Sequence, residues 1–175
     1  MTNLTQRSSK QFRGAAMRVV TLTLFLAVFG ASAALAQTGD EQVPFTATAT
    51  AVITGVTHLP GGITQVNFNT SGSATHLGNF TGPLTRLQDN QGTFGSTAVI
   101  VGANGKDSIF LSVNGRFETT KDKCLAISTG TYTVTGGGGA FLNATGSGTI
   151  ETQIDVCAGT ATGTYTGTIS KPNLN

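Results

Sequence analysis

His58 and His76 are the only histidines in the 175 residues, and Cys124 and Cys157 the only cysteines. Imidazoles, thiolates and carboxylates ligate metals and move protons near neutral pH, so the chemistry open to this chain starts with them. A zinc site needs three or four converging ligands, and two histidines are too few. His58 lies beside Pro60 in an expected turn and reads as solvated. His76 follows Thr75 in an expected strand and reads as a hydrogen-bonded structural residue. No metal site and no cofactor are expected. A hydrolytic triad needs a base and an orienting acid beside its nucleophile. Gly146-Ser147-Gly148 lacks the strand-to-helix setting of a nucleophile elbow and reads as close packing at a strand. Gly136 to Gly139 lacks the lysine and following helix of a phosphate-cradling loop and reads as a flexible hairpin end. Among the carboxylates, Asp40-Glu41 falls at a frayed start, Glu151 and Asp155 share an exposed strand face, and Lys121-Asp122-Lys123 is a polar turn. No catalytic residue is expected, and the chain reads as a non-enzyme. Asn69-Thr70-Ser71, Asn79-Phe80-Thr81 and Asn143-Ala144-Thr145 match glycosylation acceptors, which matter only in a eukaryotic secretory route.

The elements that would carry these residues are written in threonine. Thr46, Thr48 and Thr50, then Thr129 to Thr135, then Thr160 to Thr168 occupy every second position. Side chains two apart lie on one face of a strand, and a β-branched hydroxyl residue suits a pleated, half-wet surface. The intervening Ala47, Ala49, Tyr132, Val134, Ala161, Tyr165 and Ile169 suit the packed face. The alternation predicts an all-β domain. Strands are expected over Val43–Thr54, Ile63–Thr70, Ser73–Thr81, Leu84–Gln88, Phe94–Val101 and Ser108–Glu118, with turns at Pro60-Gly61-Gly62 and Gly82-Pro83. Asn104-Gly105 predicts a type I′ hairpin turn with both residues at positive φ. A single helical turn is expected near Ala140 to Ala144.

Arg7, Lys10, Arg13 and Arg18 precede an apolar run from Val19 to Leu35 that ends in Ala34-Leu35-Ala36. That is the layout of a secretory signal peptide over residues 1–36, with a domain over 37–175. Met17-Arg18 offers a second start with the same mature chain. A membrane anchor is the competing reading, weakened by the threonines, the glycine and the cleavage signature within the run. Beyond Ala36 the chain keeps six basic residues and all eight acids, a net charge of −2. That balance removes a basic face for nucleic acid. With 22 glycines and 27 threonines but regular alternation, residues 37–175 read as packed strands rather than disorder.

In an exported protein two cysteines pair more often than not. Leu125 and Ile127 are apolar at odd positions and Tyr132 and Val134 at even ones, so a face switch by a one-residue bulge is expected near Ser128 to Gly130. Setting Tyr132 opposite Ile150 then brings Ile127 opposite Ile154, Leu125 opposite Val156, and Cys124 opposite Cys157. Two free buried thiols are the alternative.

The run from Thr135 through Gly136-Gly137-Gly138-Gly139-Ala140-Phe141 to Gly148 resembles an element of the allene oxide cyclase and dirigent-like β-barrels. There a glycine-rich turn, an aromatic residue and a glycine-containing strand follow in that order. Ser73 to Thr81 is similar to a segment of exported bacterial barrel-like proteins of uncharacterised role. The resemblance implies one antiparallel barrel of about eight strands, trimeric in the plant relatives, and brings no catalytic residue with it.

The expected role is therefore an exported, secreted or periplasmic barrel that binds a small apolar ligand or acts structurally at the cell envelope. Candidate ligand-lining residues are Phe68, Phe80, Phe94, Phe110, Tyr132 and Tyr165, taken as inward from alternation; rings that simply fill the barrel are the competing reading. Partners are otherwise unknown: neither nucleic acid nor a membrane span after cleavage is expected, and a homo-oligomer is open. One alternative is an adhesive threonine face toward polysaccharide or ice, and a second is an isomerase or cyclase.

Overall fold

In a computed structural model the described residues are 41–173; the signal peptide, its cleavage site and the two candidate starts lie outside them. The threonine rows fold as their period dictates. Eight strands run β1 Gln42–Leu59, β2 Ile63–Ala74, β3 Gly78–Gln88, β4 Thr93–Gly102, β5 Ser108–Thr119, β6 Leu125–Gly138, β7 Gly146–Asp155 and β8 Thr160–Ser170. Each pairs antiparallel with the next, and β8 pairs with β1 from Gln42–Ser170 to Val52–Thr160, closing an up-and-down barrel. Closure removes both sheet edges. Thr46, Thr48, Thr50, Thr129 to Thr135 and Thr160 to Thr168 all face outward, while Ala47, Tyr132, Val134, Ala161, Tyr165 and Ile169 are buried. The faces are thus apolar inside and hydroxyl-lined outside, the reverse of a lipid-embedded barrel. Among the described residues no helix is long and apolar enough to cross a membrane.

Three local expectations are corrected. Ser73–Thr81 is not a strand: β2 continues to Ala74, the chain turns at Thr75 to Leu77 with His76 at φ 67°, and β3 starts at Gly78. Gly82-Pro83 is not a turn but the middle of β3. Its pairing with β2 is continuous there, while the β3–β4 ladder skips from Thr81–Val101 to Leu84–Ala98. Pro83 has no N–H to give that ladder, so the missing bonds fall where proline removes the donor. Gly82 is required beside it, since any Cβ there would collide with the Val99 carbonyl. The turn at Asn104-Gly105 is shifted by one residue: the Gly105 N–H donates to the Gly102 carbonyl at 2.9 Å, so Ala103 and Asn104 are central and neither has positive φ, while Gly105 at the end of the turn does. The Asn104 side chain instead accepts from the Lys106 and Asp107 N–H groups, which stabilises the longer loop.

The cysteine pairing holds, although the register argued for it does not. Cys124 and Cys157 form a disulfide with Cα atoms 5.1 Å apart. No bulge lies at Ser128 to Gly130: β6 and β7 pair without a break from Leu125–Asp155 to Val134–Gly146, and Tyr132 faces Gly148 rather than Ile150. Even-numbered residues point inward throughout this stretch, so Ala126 and Ser128 are buried and Ile127 is exposed. The bridge sits just past the ladder, where the Val156 N–H donates to the Cys124 carbonyl at 2.8 Å. The actual extra residues are Thr54 in β1 and Thr135 in β6.

The core fills the barrel end that carries the termini. Phe45, Ile109, Tyr132 and Ile169 are fully buried there, and Phe141 enters as a plug from the short 3-10 turn Gly139–Phe141, which overlaps the helical turn expected near Ala140 to Ala144. Tyr132 meets Phe45 and Tyr165 edge to face, with centroids 6.0 and 5.7 Å away. Such pairs contribute about 0.5–1.5 kcal/mol beyond burial. Tyr132 lies over Gly148 and Gly167, where an added Cβ would come within 2.6 Å of its ring at Gly148 and of its hydroxyl at Gly167.

Candidate functional site

The other half of the barrel is not packed solid. Alternation along β3 turns Phe80, Leu84 and Arg86 inward, and Arg86 is only 5% exposed. Its guanidinium carbon sits 3.7 Å from the centroid of Phe94 and 5.4 Å from that of Phe117, close enough for cation–π attraction. Around it lies an interior cavity of about 60 Å³. Thr70 on β2, Ser96 on β4, Ser128 on β6, Thr152 on β7 and Tyr165 on β8 bring hydroxyls to its wall, and Val113, Ile150, Ile154 and Ala161 make much of the remainder. Ser96 is the direct cross-strand neighbour of Arg86. Thr70 donates to the Gly82 carbonyl at 2.7 Å.

No carboxylate lines this cavity, and among the described residues the one ion pair is the exposed Lys171–Glu41 contact. Among the described residues, Arg86 is therefore a buried cation without an anionic partner. Burial pulls its pKa down to about 10, which leaves it charged at neutral pH. Burial also pushes the Tyr165 phenol up to about 12, and the Arg86 charge works against that rise. The Tyr132 phenol goes up to about 12 for the same reason, and its hydroxyl has no hydrogen-bond partner.

Of the six ring residues expected to line a ligand site, Phe68, Phe94 and Tyr165 border the cavity. Phe80 borders a separate void of about 10 Å³ toward the packed end. Tyr132 lies in the packed end and lines neither space. Phe110 is corrected outright: it is 39% exposed on the outer face, because Ile109 and Leu111 take the inward positions of β5. Arg86 was missed. The signal was available, since it is the one basic residue after Ala36 that shares strand parity with core residues, here Phe80 and Leu84.

The histidines sit apart at opposite ends of the barrel: His58 is in the last residues of β1, paired with Thr64, rather than in a turn, and His76 is in the turn between β2 and β3 rather than in a strand. His58 Nδ1 is 3.1 Å from the Thr64 hydroxyl, and His76 Nε2 is 3.1 Å from the Pro44 carbonyl. Among the described residues no three His, Cys, Asp or Glu side chains are placed to hold a metal.

Outside, the threonine rows join. Thr48 pairs with Ser73 and Thr164, Thr50 with Ser71 and Thr162, and Thr149 with Thr131 and Thr166. This gives one hydroxyl face over β2, β1, β8, β7 and β6, with a shallow groove of about 630 Å³ that also meets Glu151 and Gln153. Comparison with protein-family models, with curated proteins and with solved structures finds no match for this chain.

Proposed function

We propose that this chain is an exported, non-catalytic barrel that holds one small ligand in its interior. The observation that carries the reading is the cavity around Arg86: a concave, largely apolar space with a few polar groups converging on it is the usual form of a small-molecule site. The non-catalytic part is supported by a wall without carboxylate, imidazole or thiol to exchange a proton. A surface disulfide between half-buried Cys124 and exposed Cys157 supports an oxidising compartment. The likeness of the glycine-rich turn to allene oxide cyclase and dirigent-like barrels agrees with the closed eight-stranded architecture, and an isomerase on that pattern is the weaker variant of the same interior site.

The test is a fragment titration followed by methyl NMR. Binding inside shifts the methyls of Val113, Ile150 and Ile154, which face the cavity, and leaves those of exposed Val52 and Val56 in place. Shifts confined to the outer residues refute an interior site. A second reading rests on the continuous hydroxyl face, as an adhesive surface toward polysaccharide. Retention on a polysaccharide affinity gel that is lost on Thr164→Lys tests it, and elution in the void volume removes it.

A further inference from the structure

Resting on that interior-binding reading, we infer that Arg86 anchors a small monocarboxylate inside the barrel. A buried ion is tolerated when it is paired, and Arg86 has no acidic partner among the described residues. The described region holds two arginines; Arg116 bonds the Gln91 carbonyl, while Arg86 has no hydrogen-bond acceptor among the described residues. Phe94 and Phe117 lie against the guanidinium, their centroids 3.7 and 5.4 Å from its carbon, and supply no hydrogen-bond acceptor. Its five N–H donors lie in the plane of the group and are built for a bidentate oxyanion. The cavity beside it is where such an anion fits.

Charge and size narrow the class. One guanidinium balances one negative charge, and the wall supplies no second cation. A phosphate carries about 1.5 to 2 charges at neutral pH and no apolar body, which suits neither the single cation nor the side chains of Val113, Ile150, Ile154 and Ala161. About 60 Å³ holds roughly four waters at ~10–15 Å³ each. That space fits the body of a carboxylate of about four to six non-hydrogen atoms. Ser96 and Ser128, both buried, also line the cavity and carry hydroxyls of the kind that donate to a carboxylate oxygen.

The experiment is calorimetric titration of the purified, disulfide-intact protein at neutral pH with sodium propionate, propionamide and potassium phosphate, each repeated by methyl NMR. Propionate is expected to bind and to move the Ile150 and Ile154 methyls, with propionamide at least ten-fold weaker. Arg86→Met, checked for fold by circular dichroism, is expected to lose at least ten-fold in propionate affinity. The propionate-to-propionamide ratio needs no variant, so it stands if Arg86→Met fails to fold. Equal binding of propionamide inside the barrel, or preference for phosphate, overturns the carboxylate anchor and leaves interior binding intact. Interior methyls unmoved by every probe overturn both.

Discussion

Replacing Arg86 with methionine should make the ligand-free protein more stable. Each tenfold change in a proton equilibrium is worth about 1.4 kcal/mol, so the fall of the Arg86 pKa to about 10 sets the charged form back by about 3 kcal/mol in the folded chain. Because the folded pKa lies below the unfolded one, the unfolded state holds this proton more tightly. The penalty is therefore fully present at any pH below about 10 and is relieved only as pH rises beyond it. Stacking on Phe94 and Phe117 returns about 1 to 2 kcal/mol for a desolvated cation. Methionine keeps much of the length and apolar contact and carries no charge, so the expected gain is about 1 to 2 kcal/mol. In a chain of this size that raises Tm by about 3 to 8 °C. Urea unfolding followed by far-ultraviolet circular dichroism, with the disulfide intact, measures it. A loss of about 3 kcal/mol or more is the signature of a broken buried ion pair and would refute the claim that Arg86 lacks a protein partner.

Tyr132→Phe removes a buried hydroxyl with no partner and should stabilise the protein by about 1 kcal/mol; a comparable loss in the same urea assay means the hydroxyl is bonded. Cys124→Ser with Cys157→Ser opens a loop of sequence separation 33, and the chain-entropy model puts the cost at about 3 to 4 kcal/mol; no change in the unfolding midpoint contradicts that value. The Asp107 carboxyl is held below its usual range first by the Ala140 N–H and then by the Asn104 side chain, tying the β4–β5 loop to the plug that carries Phe141. Its folded pKa is the lower one, so the tie acts above the ordinary aspartate range and is lost as pH falls through the folded value. Hydrogen exchange at the Ala140 amide should keep its protection through the ordinary aspartate range and lose it only as pH falls below that range, and an Asp107→Asn variant should show that loss already at neutral pH.

Strand parity was legible wherever one face of a strand is polar and the other small or aromatic. The threonine rows therefore give the correct outward face of β1, β6 and β8. Parity fails where the chain is apolar on both faces: in Ile109-Phe110-Leu111 nothing local says which two of three go inward. A face switch in β6 is expected only if the larger apolar residues lie inside. The interior at that level already holds Arg86, Phe94 and Phe117, so small Ala126 and Ser128 fit inward while Leu125 and Ile127 are turned out. Pro83 was read as a turn because its tolerance depends on which neighbouring ladder needs its N–H, a tertiary fact. Arg86 escaped because a basic residue mid-strand reads as solvated, and only the closed barrel makes its inward position costly.

The central claim is that the barrel holds one small carboxylate against Arg86. Crystals grown with 3-bromopropionate test it directly by anomalous scattering from bromine. The account predicts one bromine peak in the cavity beside Ile150 and Ile154, with the carboxylate within hydrogen-bond reach of the Arg86 guanidinium. A cavity holding only water, with bromine confined to the outer surface, would contradict it.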